Sequence, residues 1–384
     1  ELLKNITFRP IGPTRQSGRF VDFAVPKQQP YTFYAATASG GLWKTTNNGI
    51  TFEPIFDQEK SFSIGDVAVA PSDPNIVWVG TGEANNSRSV YWGDGVYKSI
   101  DGGKTWKNMG LKESHHIGRI VIHPENPDIV YVAALGHLYS ENSERGLYKT
   151  EDGGKTWAKV LDIVVRGKNI GVVDAAMDPK NPEVLYAAAY DKVRRAWTFN
   201  LGGPGGGIYK TADGGKTWKK LGGGLPGGML GRIGIDIYAK DSNILYACIE
   251  NANKPGMSDE QREKELLEGK SSAGMIDGEV YRSDDGGETW RKVSPEKQSI
   301  GGAPGYYYGQ VRIDPNDDKV VYILSVSTMG TKDGGKNWQR RLFNFGGDDH
   351  ALWIDPENSS HMLLGYDHGM GVTYDGGKSW YHPD

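Results

Sequence analysis

Apolar residues along this chain fall mostly into short runs bounded by turn-forming residues, and the runs come in pairs. One arrangement recurs: a turn marked by Pro, Asp or Asn, then an apolar segment, as in Ser72–Gly80 (SDPNIVWVG), Glu125–Ala133 (ENPDIVYVA), Lys180–Ala188 (KNPEVLYAA) and Lys240–Cys248 (KDSNILYAC). Pro26–Ala36, Pro315–Leu324 and Pro356–Gly365 complete the series. Upstream of each turn lies another short segment of the same kind, for example Gly118–Pro124 or Gly231–Ile237. Runs of this length between Gly and Pro punctuation read as β-strands.

A second signature follows each pair. SIDGGKTW (Ser99–Trp106) returns as TEDGGKTW (Thr150–Trp157), TADGGKTW (Thr211–Trp218), SDDGGETW (Ser283–Trp290), TKDGGKNW (Thr331–Trp338) and TYDGGKSW (Thr373–Trp380). A weaker first copy is TTNNGITF (Thr45–Phe52). Seven copies at roughly 40–70-residue spacing mark a repeat architecture. Each unit reads strand, turn, strand, variable loop, strand, Asp-Gly-Gly turn, strand. Four short antiparallel strands per unit make one propeller blade, so the expected fold is all-β: a single seven-bladed β-propeller over residues 1–384. The Gly pairs suit turn positions with φ > 0, the Asp accepts hydrogen bonds from the turn's own N–H groups, and the closing Trp plugs the space between blades. All of this is fold chemistry and assigns no activity.

Composition agrees. Glycine supplies 54 of 384 residues, about twice the usual share, yet 11% of residues are aromatic, which fits tight turns around an aromatic core rather than a disordered linker. A helical bundle is excluded by the same glycine content. Lys plus Arg (44) against Asp plus Glu (48) leaves −4, without the basic footprint that nucleic acid requires. A single cysteine, Cys248, excludes an intramolecular disulfide framework and a cysteine zinc cluster. No apolar run approaches the roughly 18 residues of a membrane span. With Glu1 in first place and no charged-then-apolar leader, the expectation is a processed or trimmed chain whose targeting signal lies outside it.

The S/T-x-D-G-G-x-T-W octapeptide resembles the Asp box, or BNR repeat, of sialidases, family 74 xyloglucanases, sortilin-type receptors and the photosystem II assembly propeller. The longer units are most similar to bacterial BNR-repeat glycosyl-hydrolase-like proteins related to the sortilin N-terminal domain. The resemblance spans nearly the whole chain. It implies an exported protein, periplasmic, cell-surface or secreted, that binds a glycan or a peptide. It also implies a second propeller as a partner domain, because in the xyloglucanases two propellers facing each other supply the catalytic acids.

In a propeller, the loops joining strand two to strand three, and those joining successive blades, leave on one face, here called the upper face. The Asp-box turns leave on the other. The long insertions Thr81–Gly95, Ala134–Gly146, Tyr190–Gly207 and about 250–278 all enlarge the upper face, where length signals function. The last contains a predicted helix: Ser258 and Gln261 form a capping box, Gly269 ends it, and Leu266 with Leu267 offers an apolar edge for a lid.

Segments leading into the innermost strands collect Arg19, Asp66, His115, His116, Arg119, Arg232, Tyr306, Tyr307, Tyr308, Asp348, Asp349 and His350 around one mouth, with Asp367 and His368 from the end of the seventh unit. Solvated ion pairs are the competing role for such charges. The group Asp348, Asp349, His350, Asp367 and His368 suits Ca²⁺, Mn²⁺ or Zn²⁺ chemically, but its spacing fits a structural hydrogen-bond cluster better, and no cofactor is expected. Glycoside hydrolysis needs two carboxylates across the bond, one with a raised pKa. Glu83, Asp94, Glu250, Asp349 and Asp367 are available; Glu83, Asp349 and Asp367 are the catalytic candidates, although no spacing pairs any two.

The ligand-binding candidates are Arg19, Asp66, Trp92, His116, Arg119, Trp197, Arg232, Tyr306, Tyr307, His350 and His368. Trp92, Tyr139, Tyr190, Trp197 and Tyr306–Tyr308 suit stacking on sugar rings or clamping a peptide, with core packing the default for any one. Phe8-Arg9-Pro10 resembles the sialidase N-terminal Arg motif. Arg19, Arg119 and Arg232, alike in their repeat positions, suit either a carboxylate-gripping triad or a repeated structural role. Three functions stay open: glycan binding with or without hydrolysis, a non-enzymatic sortilin-like receptor or assembly module for peptide or protein, and a structural domain. Fold alone does not choose among them.

Overall fold

The computed structural model describes residues 18–87, 89–269, 273–296, 298–301, 305–340, 342–344 and 346–383. The repeat closes into seven antiparallel blades in sequence order, the propeller that the repeat predicts. Blade two shows the pattern in full: Ile64–Ala70 lines the channel, Asp73–Thr81 and Val96–Ser99 pair outward in turn, and Lys107–Asn108 forms the rim. In blades six and seven the outermost position is held by single bridges, Gly330–Gln339 and Val372–Tyr381. Blade four gains a fifth strand, Ile163–Val165, which folds back on Lys168–Ile170 as a hairpin on the upper face; its sequence carries no repeat signature.

The core is layered between blades rather than gathered at one centre. Seven apolar clusters fill the seven blade interfaces, the last uniting Phe23, Phe33 and Ala35 of blade one with Ala351, Leu363 and Val372 of blade seven to close the ring. The aromatic residue ending each repeat packs into the interface with the preceding blade, from Phe52 and Trp106 through to Trp380. Trp106 and Trp157 also donate Nε1–H to the preceding blade, to Ile55 O (2.7 Å) and Met109 O (2.8 Å).

Polar stitches accompany the packing. Tyr34 and Lys44 of blade one both donate to Gly102 O in the Asp box of blade two, Tyr131 and Lys149 repeat this on Gly214 O, and Tyr186 and Lys210 on Gly286 O. The Tyr of strand two and the Lys of the Tyr-Lys-Ser/Thr step thereby act across the interface. Inside each box the Asp serves its own turn: Asp213 accepts from Thr217 N (2.9 Å) and Thr217 Oγ1 (2.6 Å), and Thr211 Oγ1 accepts from Gly215 N (3.0 Å). Near the channel, Asp22, Asp66, Asp174 and Asp236 each accept a backbone N–H from the next innermost strand in the chain or in the ring, those of Val67, Ile120, Ile235 and Ile313.

The channel is asymmetric. Towards the face of the strand-one-to-two turns it opens into a cavity of about 600 Å³ rimmed by Pro71, Pro124, Pro179 and Pro315. Towards the upper face it narrows to about 20 Å³ between Asp66, Glu83, Arg119, Arg232 and His350, room for about one water. The predicted helix is present as Asp259–Leu267, with the Ser258–Gln261 capping box intact. Leu266 is buried against Met229 and Ala252, whereas Leu267 is exposed, so the apolar edge is one residue wide. Buried Arg262 completes the contact by donating to Ala252 O at 2.6 Å.

Candidate functional site

The mouth is built as two tiers. In the lower tier Arg119 meets Asp174 (2.8 Å), Asp66 (3.0 Å) and Asp22 (4.0 Å). Burial pushes the Asp66 carboxyl well up, against the pull of Arg119 and the Ile120 amide. One guanidinium facing three carboxylates is a structural clamp across blades one to four.

The upper tier is a chain of hydrogen bonds. Arg19 forms a two-pronged ion pair with Glu83 and lies over the Tyr307 ring, 5.1 Å from its centroid. Glu83 accepts from Asn85 Nδ2 at 2.6 Å, Asn85 Oδ1 accepts from Arg232 Nη1 at 2.6 Å, and Arg232 N donates to Glu250 at 3.3 Å. His116 Nδ1 donates to Glu83 O (2.8 Å), and burial drives this imidazole down to about 3, so it is neutral. On the blade-seven side His350 donates Nε2–H to Asp367 (2.8 Å), while Tyr308 stacks on the imidazole with centroids 5.3 Å apart and Tyr307 meets it edge-on at 4.9 Å. Burial raises the Asp367 carboxyl, but the His350 hydrogen bond and charge, with Arg19 beyond, leave it below the ordinary range.

Arg19, Glu83, His116, Arg232, Tyr307, His350 and Asp367 therefore converge on one mouth, with exposed His368 in the electrostatic reach of Asp367 and the Tyr306 carbonyl accepting from Asn86 N. Asp66 and Arg119 sit beneath it in the channel. Asp349 is turned into the blade-six loop, where it accepts from Thr328 N (2.9 Å) and Oγ1 (2.7 Å) and from Gly347 N (3.0 Å). Trp92 and Trp197 stand apart on the rim, 69% and 80% exposed. Phe8-Arg9-Pro10 lies outside the described residues.

The three arginines do not share a register. Arg119 pairs with Ala133 just beyond the Gly118 bulge, a place that Gly234, opposite Cys248, takes in blade five, so Arg232 lies two residues earlier. Arg19 instead occupies the position of His116, three residues earlier, where the backbone carbonyl accepts from the strand-two loop: Ala38 N to Arg19 O in one blade, Leu135 N to His116 O in the other. The shared Gly-Arg dipeptide concealed this offset.

Glu250, like Asp66, is an acid that burial shifts strongly. Fully packed at the end of its strand, it is pushed up by burial to about 8, protonated at neutral pH. Nothing in its sequence surroundings distinguishes it from Glu83. A second group lies outside the mouth: Glu113, His115 and His137 present their side-chain donor atoms within 4.8 Å of one another.

A ring of repeats with Asp-box turns, closed by blade-to-blade packing, makes this chain a seven-bladed BNR-type propeller. Models of known families agree: the BNR/Asp-box repeat matches residues 281–292, and the family described as "Sortilin, neurotensin receptor 3" matches residues 94–266. The xyloglucanase Xgh74A of Acetivibrio thermocellus is 23% identical over 404 residues, covering 80% of this chain and 45% of the relative. A xyloglucanase of Paenibacillus sp. is 25% identical over 360 residues, 85% of this chain and 31% of that one. The crystal structure of a GH74 xyloglucanase from Xanthomonas campestris superposes with a TM-score of 0.65 at 17% identity, over 97% of this chain and 55% of its own. The propeller thus resembles glycoside hydrolases and sortilin, and it spans less than half the length of the curated relatives it matches. Among the described residues, no helix is long and apolar enough to cross a membrane.

Proposed function

We propose that this chain is an extracytoplasmic propeller that binds glycans across its upper face, as the glycan-holding part of a glycoside-hydrolase-like protein. The observation that carries this reading is the set of exposed aromatic side chains on the long upper loops: Tyr91, Trp92 and Trp197, each at least half exposed. Exposed aromatic surface is costly to leave in water and suits the apolar faces of sugar rings. Phe62 against Tyr91 (5.0 Å) and Trp92 over His115 (6.4 Å) extend this surface along blades one to three. The likeness to xyloglucanases supports the polysaccharide class. For hydrolysis we assign Glu83 and Asp367, which flank Arg19 at the mouth, as the charge-stabilising or nucleophilic carboxylates, with the proton-donating acid supplied by a facing domain.

The test is binding of the folded chain to xyloglucan, cellulose-type and mannan oligosaccharides and sialylated glycans, by calorimetry and affinity electrophoresis. Trp92→Ala and Trp197→Ala are each expected to weaken binding about 2–10-fold, the worth of one stacked ring. Turnover, where it occurs, disappears in Glu83→Gln and Asp367→Asn. A folded protein that binds none of these glycans overturns the reading. Saturable peptide binding in their place installs the receptor reading that the sortilin match supports.

A further inference from the structure

Between blades two and three the chain makes a tight 3-10 turn, Lys112–Ser114, and enters the next strand through His115 with φ 53° and ψ −41°. A non-glycine residue in that conformation stores about 1–3 kcal/mol of strain. The strain places the His115 and Glu113 side chains beside His137, from the blade-three loop. His137 Nε2 stands 3.3 Å from Glu113 Oε2, and His115 Nε2 stands 3.7 Å from the same oxygen. Two donors on a tetrahedral zinc-class ion, with arms of about 2.0–2.1 Å, stand about 3.3 Å apart. The two imidazoles are stacked 3.8 Å apart at 27°, so a small splay brings both Nε2 atoms onto one ion.

The surroundings are fastened. Asn142 accepts from His137 N and donates to Glu113 O, both at 2.9 Å, so one side chain ties the two loops together. Arg145 (3.0 Å) and Lys192 (3.2 Å) donate to His137 O, Gly93 N donates to His115 O (2.7 Å), and Ser140 Oγ meets His137 Nδ1 at 2.9 Å, leaving Nε2 to point at the carboxylate. Both imidazoles keep about a quarter of their exposure, so a fourth coordination position faces solvent.

We propose that Glu113, His115 and His137 form a site for one zinc-class dication, with two imidazoles, one carboxylate and an open position for water or ligand. The donor set suits Zn²⁺, and Co²⁺ as its probe, rather than Ca²⁺, which prefers six or more oxygens. The site is separate from the mouth, and its His115 packs against Trp92 of the aromatic surface, so its metal binding is read apart from glycan binding.

The experiment uses the whole chain, free of any histidine tag and stripped with chelator, titrated with Zn²⁺ by calorimetry and with Co²⁺ by visible absorption. One ion per chain and ligand-field bands in the visible are expected. His137→Ala and His115→Ala each lose at least about 100-fold in affinity, and Glu113→Gln at least about tenfold, with unchanged melting of the metal-free proteins. Asn142→Ala, which touches no ion, weakens binding about 10–100-fold by releasing the two loops from each other. No binding of either ion overturns the proposal, as does equally tight binding by the His115→Ala/His137→Ala double variant.

Discussion

Replacing Arg119 by Met keeps the length and apolar stem of the side chain and deletes its charge. Asp22, Asp66 and Asp174 then lose the cation that stands 2.8 to 4.0 Å away from them. Removing one partner of a buried ion pair costs about 3–5 kcal/mol, because the remaining charge stays buried. The lower end applies here, since the guanidinium keeps 18% exposure and the channel beneath it is open to water. At about 2.1 cal/mol/K per residue, the 384-residue chain unfolds with an entropy of about 0.8 kcal/mol/K, so 3 kcal/mol lowers the melting temperature by about 4 °C. The sign with pH follows from Asp66, whose carboxyl burial already raises. Without Arg119 it rises further, and a carboxyl raised in the folded state contributes stability at low pH that is lost as pH climbs through its folded pKa. The gap between wild type and variant is therefore smaller at pH 5 than at pH 8. Asp66→Asn in the same background recovers part of the loss, since the amide oxygen still accepts from Ile120 N. Calorimetric melting of the three proteins at both pH values checks this; a drop under about 1 °C, or a gap that ignores pH, refutes the clamp.

Glu250, pushed up by burial to about 8 from an ordinary 4.5, gives stability in full below pH 4.5 that is lost as pH rises through 8, about 4–5 kcal/mol over that window. Glu250→Gln is expected to flatten the melting profile between pH 5 and 8, and an unchanged slope counts against it. Hydrogen bonds from Thr105, Thr217, Thr289 and Asn337 hold the box carboxyls of Asp101, Asp213, Asp285 and Asp333 near 2, so their contribution is present above pH 3.8 and lost as pH falls through 2. A variant with Asn at those four positions loses the steepest part of the acid decline, measured by circular dichroism from pH 5 to 1.5. Gly82 has φ 79°, and a Cβ there meets His115 O at 1.8 Å. Gly82→Ala is expected to cost more than the ~1–2 kcal/mol of the left-handed conformation alone. It also displaces the Leu111–His116 turn, read as melting temperature together with Zn²⁺ affinity.

The blades were legible because their signals are local. Alternating apolar runs, Pro-marked turns and the Asp-box octapeptide each act within a few residues, and the order of strands then assigns the long loops to one face without further information. The capping box at Ser258 and Gln261 was legible for the same reason. The mouth was legible as a place but not as an arrangement. Arg19 and Arg119 look alike as Gly-Arg followed by an apolar residue, yet they lie three positions apart in the strand register, one paired with Glu83 across blades and the other clamping three aspartates. Asp349 and Asp367 both read as free acids; Thr328 takes up the first, and His350 orients the second at the mouth.

From its sequence alone this chain is committed to seven four-stranded blades, to turns that satisfy themselves, and to an aromatic residue between each blade and the one before. Those outcomes depend on backbone propensity and on side chains near in sequence, which every copy of the repeat carries. Which acids are charged, which imidazoles face one another, and where the channel is wide are decided only when seven blades close into a ring. Closure brings Arg19 to Glu83, Arg119 to Asp174, and His137 to Glu113 through Asn142. Each pairing joins residues from different blades or loops, and both burial and Coulomb energy depend on distances through space that no spacing along the chain encodes.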